Sequence, residues 1–117
     1  MKLDLRENMY IRTKGGIIDK ILKLNKSYVK GVSQKDELYA YDIDNIVKAS
    51  YNIIEILENW DFVSTMTGEC ALITGVYHDI NGKKYIRLCN CIGEYYEDDI
   101  KSVITHEQME QIAYKVG

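Results

Sequence analysis

Glu69-Cys70-Ala71-Leu72-Ile73-Thr74-Gly75-Val76-Tyr77-His78-Asp79-Ile80-Asn81-Gly82-Lys83-Lys84-Tyr85-Ile86-Arg87-Leu88-Cys89-Asn90-Cys91 is the stretch from which the fold is read. Two runs rich in β-branched and aromatic residues flank Asp79-Ile80-Asn81-Gly82, the pattern of a β-hairpin. Gly82 suits the left-handed position that follows a type I turn and forms a G1 bulge. Ile80 resists positive φ and so argues against a primed turn centred earlier, while a two-residue Asn81-Gly82 turn is the competitor. The bulged register opposes His78 to Lys84 and Val76 to Ile86. It gathers Cys70, Leu72, Val76, Ile86, Leu88 and Ile92 on one apolar face. The competing register mixes Leu72 and Val76 with Arg87, so burial favours the bulge.

Working outward, the rest of the chain has the same short, punctuated texture. Met9-Tyr10-Ile11-Arg12-Thr13 reads as a strand closed by the Gly15-Gly16 turn. Residues 16–24 fit either a helical stripe or a strand. Their length, flanking glycines and β-branched isoleucines favour strand. Further strands are expected over residues 28–32, 37–41, 45–51 and 60–66, with Ser33-Gln34-Lys35-Asp36 as a polar turn. Ile53, Ile54, Ile56 and Leu57 crowd into one helical turn that suits the end of a barrel. Thr105-His106-Glu107-Gln108 matches a capping box, with Thr105 accepting from the Gln108 N–H while the Gln108 side chain reaches back. About two helical turns follow before Ile112, Tyr114 and Val116 alternate as a last strand. The expected fold is mainly β: a small SH3-like or OB-like antiparallel barrel or roll with one or two short helices.

The length of 117 residues predicts a single domain spanning 1–117. Apolar residues at 46% and charged residues at 28% exclude a disordered or collagen-like chain. No apolar run is long enough for a transmembrane helix, and Met1-Lys2-Leu3-Asp4-Leu5-Arg6-Glu7 carries no signal-peptide core. Proline is absent, so turns must rest on Gly, Asn and Asp. Three cysteines, an odd number, read as reduced thiols in a cytoplasm. The net charge of −3 argues against a general nucleic-acid binder. Residues 1–48 hold 10 basic and 7 acidic side chains, whereas the remainder holds 5 and 11, a polarity that either steers a partner or is an ordinary surface.

Constellations for chemistry are sparse. Cys70, Cys89, Cys91 and His78 are zinc-type residues, but the bulged register puts Cys70 and His78 away from Cys89 and Cys91, and no Cys-x2-Cys knuckle occurs. Asp42-x-Asp44-Asn45 lacks the glycine and the twelfth acid of a calcium loop. Gly15-Gly16 lacks the Lys-Ser/Thr that grips phosphate. Neither His78 nor His106 has a partner visible in the sequence for nucleophilic catalysis. No enzyme, cofactor or metal site is expected. Ten tyrosines suit strand packing, and exposed ones on a barrel also suit base stacking beside Arg12, Lys14, Lys20, Lys23, Lys26 and Lys30. Gly93-Glu94-Tyr95-Tyr96-Glu97-Asp98-Asp99 is either a solvated loop or a protein-binding site, because adjacent tyrosines among carboxylates make anchors for a basic partner. Its candidate partner-binding residues are Glu94, Tyr95, Tyr96, Glu97, Asp98 and Asp99.

Three stretches carry a resemblance. They are Met9-Tyr10-Ile11-Arg12-Thr13-Lys14-Gly15, Ile46-Val47-Lys48-Ala49-Ser50-Tyr51-Asn52-Ile53-Ile54-Glu55-Ile56-Leu57, and Val103-Ile104-Thr105-His106-Glu107-Gln108-Met109-Glu110 through Tyr114-Lys115-Val116. Together they resemble small phage and prophage proteins of low-GC Gram-positive bacteria, although Trp60-Asp61-Phe62-Val63 stands where those carry Gly-Asp-Tyr-Val. The resemblance implies a phage-borne accessory protein in the cytoplasm of a bacterial host cell. It brings no catalytic residues. The expected function is binding to a host protein, a nuclease or defence effector, as an inhibitor of the anti-CRISPR type. A nucleic-acid-binding barrel and a virion assembly component are the alternatives, and no membrane partner is expected.

Overall fold

The protein, described here from a computed structural model covering residues 4–25, 28–32 and 38–112, is mainly β, with antiparallel sheets and one short α-helix. Its contacts divide the chain into two compact units, residues 1–56 and 57–117, each with its own sheet.

The first unit contains β1 (Tyr10–Thr13), β2 (Ile18–Leu24), β3 (Tyr28–Val32), β4 (Leu38–Asp42) and β5 (Ile46–Ser50), in the order β4-β3-β2-β1-β5. The ambiguous segment 16–24 is a strand, yet its inward residues are Asp19 and Ile21, while Leu22 points to solvent. Ile11, Ile21, Val29 and Ile46 form the apolar centre, with Met9, Leu24, Tyr41 and Ala49 packed around it. Gly16, at φ +84°, closes the β1–β2 turn by donating its N–H to the Thr13 carbonyl (3.0 Å). The helical turn expected near residue 54 is a 3-10 turn, Ile53–Ile56, lying against β1 and β5. It is fixed by the Asn52 side chain, which accepts from the Ile54 N–H at 2.9 Å.

The second unit contains β6 (Phe62–Thr65), β7 (Cys70–His78), β8 (Lys84–Leu88), β9 (Ile100–Ile104) and α1 (His106–Ile112), with sheet order β8-β7-β6-β9. Its turn chemistry is as the sequence predicts. Gly82 has φ +80° and donates to the Asp79 carbonyl, and the Asp79 N–H reaches Lys83 O, which gives the G1-bulge loop. Val76 faces Ile86 and His78 faces Lys84. The capping box also forms, with Thr105 N–H donating to Gln108 Oε1 (3.0 Å) and Gln108 N–H to Thr105 Oγ1 (3.3 Å).

The expected mainly β fold of antiparallel sheets with a short helix is what the strands build, and no barrel closure is found among the described residues. Two details differ. The predicted hairpin face is only half right: Ile86 and Leu88 are buried, but Cys70 and Ile92 are exposed and Val76 is open to solvent. A second register shift, between Ile73 and Gly75, turns Cys70 off that face. It pairs Ile73 with Leu88 and carries Ile73, in place of Leu72, into the interior. Ile112 belongs to α1 and not to a final strand. The polar turn at 33–36 and the strand residues 114–116 lie outside the described residues. The strand β9 is an addition to the sequence reading.

Candidate functional site: a tyrosine row on the hairpin

Cross-strand register brings the hairpin's tyrosines together. Tyr77 on β7 directly opposes Tyr85 on β8, with ring centroids 5.8 Å apart and planes 29° from parallel. Tyr96, arriving from the following loop, packs against Tyr85 with centroids 5.6 Å apart and planes tilted by 52°. Gly75 makes this possible: a Cβ there would stand 2.4 Å from the Tyr77 hydroxyl, so the ring folds over the glycine. Two cations lie over the rings, Lys83 Nζ 5.0 Å from Tyr96 and Arg87 Cζ 5.9 Å from Tyr85. Ile80, at the tip beside this row, is fully exposed.

Asp79 joins the turn to the row. One carboxylate oxygen accepts the N–H groups of Asn81 and Lys83, both at 2.9 Å, and the other accepts the Tyr96 hydroxyl at 3.0 Å. The Lys83 backbone N–H is the main cause holding the Asp79 carboxyl below its ordinary value, while partial burial opposes it. Tyr96 is pushed upward, first by desolvation and then by its bond to Asp79, so the neutral phenol is the form the fold favours.

The six residues singled out from sequence have different fates. Tyr95 is buried, and its N–H and carbonyl pair with those of Ile86 as an isolated bridge on the outer edge of β8. Desolvation raises its phenol pKa as well. Gly93 leaves room for the Tyr95 ring, since a Cβ would approach it to 3.0 Å. Glu94 pairs with Arg87 at 3.3 Å. Asp99 accepts the Tyr96 N–H at 2.9 Å and so closes the 3-10 turn Glu97–Asp99, of which Asp98 is exposed. Tyr96 alone of the tyrosine pair joins the surface row. Tyr77, Tyr85, Lys83, Arg87 and Ile80 were missed, although the bulged register already implied the Tyr77–Tyr85 pair.

The basic side proposed for nucleic acid loses a member. Arg12 is fully buried, with Nη1 donating to the Ile56 carbonyl at 3.0 Å. Lys26 lies outside the described residues, and Lys20 sits 5.3 Å from the Tyr10 ring centroid. All three thiols are free, and Cys70 touches the Ser64 hydroxyl at 3.4 Å. His78 is exposed as expected. His106, without a partner visible in the sequence, has two: Glu58 and Glu107. No described helix is long and apolar enough to cross a membrane. No family model, curated protein or solved structure matches the chain.

Proposed function

We propose that this chain is a non-enzymatic accessory protein of phage or prophage origin that binds a host protein and inhibits a bacterial defence system, in the manner of an anti-CRISPR protein. The observation that carries the binding role is the tyrosine row. Two rings of the hairpin stack and a third, Tyr96 from the following loop, packs tilted against one of them, with Lys83, Arg87, Glu94 and Asp79 around the row and an exposed isoleucine at its tip. Tyrosine presents large contact area at small entropy cost, and mixed charges at its rim give register and specificity. The acidic excess of residues 49–117 favours a partner with a basic surface, which nucleases offer.

The test is phage plating on bacteria carrying an active CRISPR system, with and without the chain, followed by binding to the purified effector. Restored plating and a complex that Tyr77→Ser with Ile80→Ser weakens at least about tenfold support the reading, tenfold being ~1.4 kcal/mol. No rescue and no complex with effectors of the systems tried would overturn it. Oligonucleotide binding that falls steeply with salt would favour the nucleic-acid alternative.

A further inference from the structure

We propose a divalent metal site of the zinc class formed by Glu58, His106 and Glu107, independent of the tyrosine row and of the function proposed for it. His106 Nε2 lies 2.7 Å from Glu58 Oε1 and 3.2 Å from Glu107 Oε1, and one ligand atom from each of the three falls within 4.8 Å of the others. All three side chains are half-buried, which is wet enough for an ion to enter and dry enough to strengthen its attraction to two carboxylates.

The backbone builds this convergence. The Asp61 side chain is fully buried and accepts two main-chain N–H groups, that of Glu58 at 2.8 Å and that of His106 at 3.0 Å. One carboxylate therefore pins both ligand-bearing segments, the turn before β6 and the start of α1. The Thr105–Gln108 capping box fixes the second segment again. Support of this kind, one step behind the ligands, is what orients metal sites. Among the described residues no other group of His, Cys, Asp and Glu converges in this way, and the cysteines take no part in it.

Donor chemistry selects the ion. One imidazole nitrogen and two carboxylate oxygens suit Zn²⁺ and its neighbours Co²⁺ and Mn²⁺ better than Ca²⁺ or Mg²⁺, which prefer oxygen alone. Zinc at about 2.0–2.2 Å from each donor sets them roughly 3.3 Å apart, so Glu58, at 2.7 Å from His106 Nε2, must open away from it, while Glu107 at 3.2 Å already stands near that spacing. The ion takes the Nε2 lone pair, so the imidazole binds as the Nδ1–H tautomer and the Nε2–Glu58 hydrogen bond gives way to two bonds to the metal. Three protein donors leave at least one position for water.

The experiment is a Zn²⁺ and Co²⁺ titration of the full chain by calorimetry and absorption, at neutral pH in a Cys70→Ser, Cys89→Ser, Cys91→Ser background that removes competing thiols. The expected result is one saturable equivalent, a raised melting temperature, a Co²⁺ spectrum without thiolate charge transfer, and a metal-induced shift of His106 Nε2 by nitrogen NMR. His106→Ala should weaken binding at least about tenfold, and Glu58→Gln, which keeps the side chain's shape, should do likewise. Absence of saturable binding, or equal binding by the Glu58→Gln chain, would overturn the site. The NMR shift decides the matter if the alanine variant does not fold.

Discussion

Asp19 and Asp61 are both buried carboxylates, one in each unit, and they are held in opposite ways. Asp19 lies within β2 and accepts from the Tyr41 hydroxyl at 2.8 Å and from the neighbouring Lys20 N–H at 2.8 Å. It occupies the space left by Gly31, where a Cβ would stand 2.7 Å from the carboxyl. The strands around it pair through their own backbone ladders. Asp61 instead satisfies main-chain donors from two segments, one of them 45 residues away. Orphaned buried backbone donors are expensive, whereas a half-buried hydroxyl can turn to water. The contrast separates a side chain lodged in a sheet from one that fastens pieces of main chain together.

The largest effect should come from Asp61→Ala, which strands the Glu58 and His106 N–H groups. We expect a loss of about 3 kcal/mol in urea unfolding, clearly more than for Asp19→Ala. Equal costs would erase the distinction. Gly31→Ala probes the other side: the methyl must displace the Asp19 carboxyl, at about 2 kcal/mol by the same measurement. Next comes Trp60, adjacent to Asp61 and more than half exposed at φ +75°, a backbone state glycine adopts freely. Trp60→Gly should stabilise the chain by about 1 kcal/mol, read as a higher melting temperature.

The smallest effect concerns Asp79, a carboxylate outside the interior. Its folded pKa lies below the ordinary value, so its stabilising contribution is complete above about pH 4 and is lost as pH falls through the lowered value. Asp79→Asn should therefore lower stability above about pH 4 and leave it nearly unchanged below the lowered value, which flattens the acid limb of a stability–pH curve. An acid limb of unchanged slope would remove the turn bonds from this account.

Much of the strand layout was legible because it rests on local signals. Gly16 and Gly82 mark their turns, and Thr105 with Gln108 marks a helix start. The Thr74 bulge was not legible, since nothing in Ile73-Thr74-Gly75 differs from a regular strand until Tyr77 needs the space over Gly75. The strand Ile100–Ile104 went unread because its apolar residues 100, 103 and 104 break strict alternation. Whether sheets close or stay open depends on pairings between distant edges, which no local pattern encodes. At the site, Tyr77 and Tyr85 follow from register. The union of Glu58 with His106 does not, for it is made by Asp61 across the fold. Trp60 is instructive in a different way: its φ of +75° is a backbone state that nothing in the surrounding residues announces.

The pair of main-chain bonds from Tyr95 to Ile86 has a consequence for how the molecule behaves in a crowd. They occupy the rim of β8, where a neighbouring molecule's strand would otherwise add itself to the sheet. A segment rich in aromatic and acidic residues thus serves as a selvedge, and loosening it, for instance by crowding Tyr95 with Gly93→Val, should bare that rim as a template for fibres.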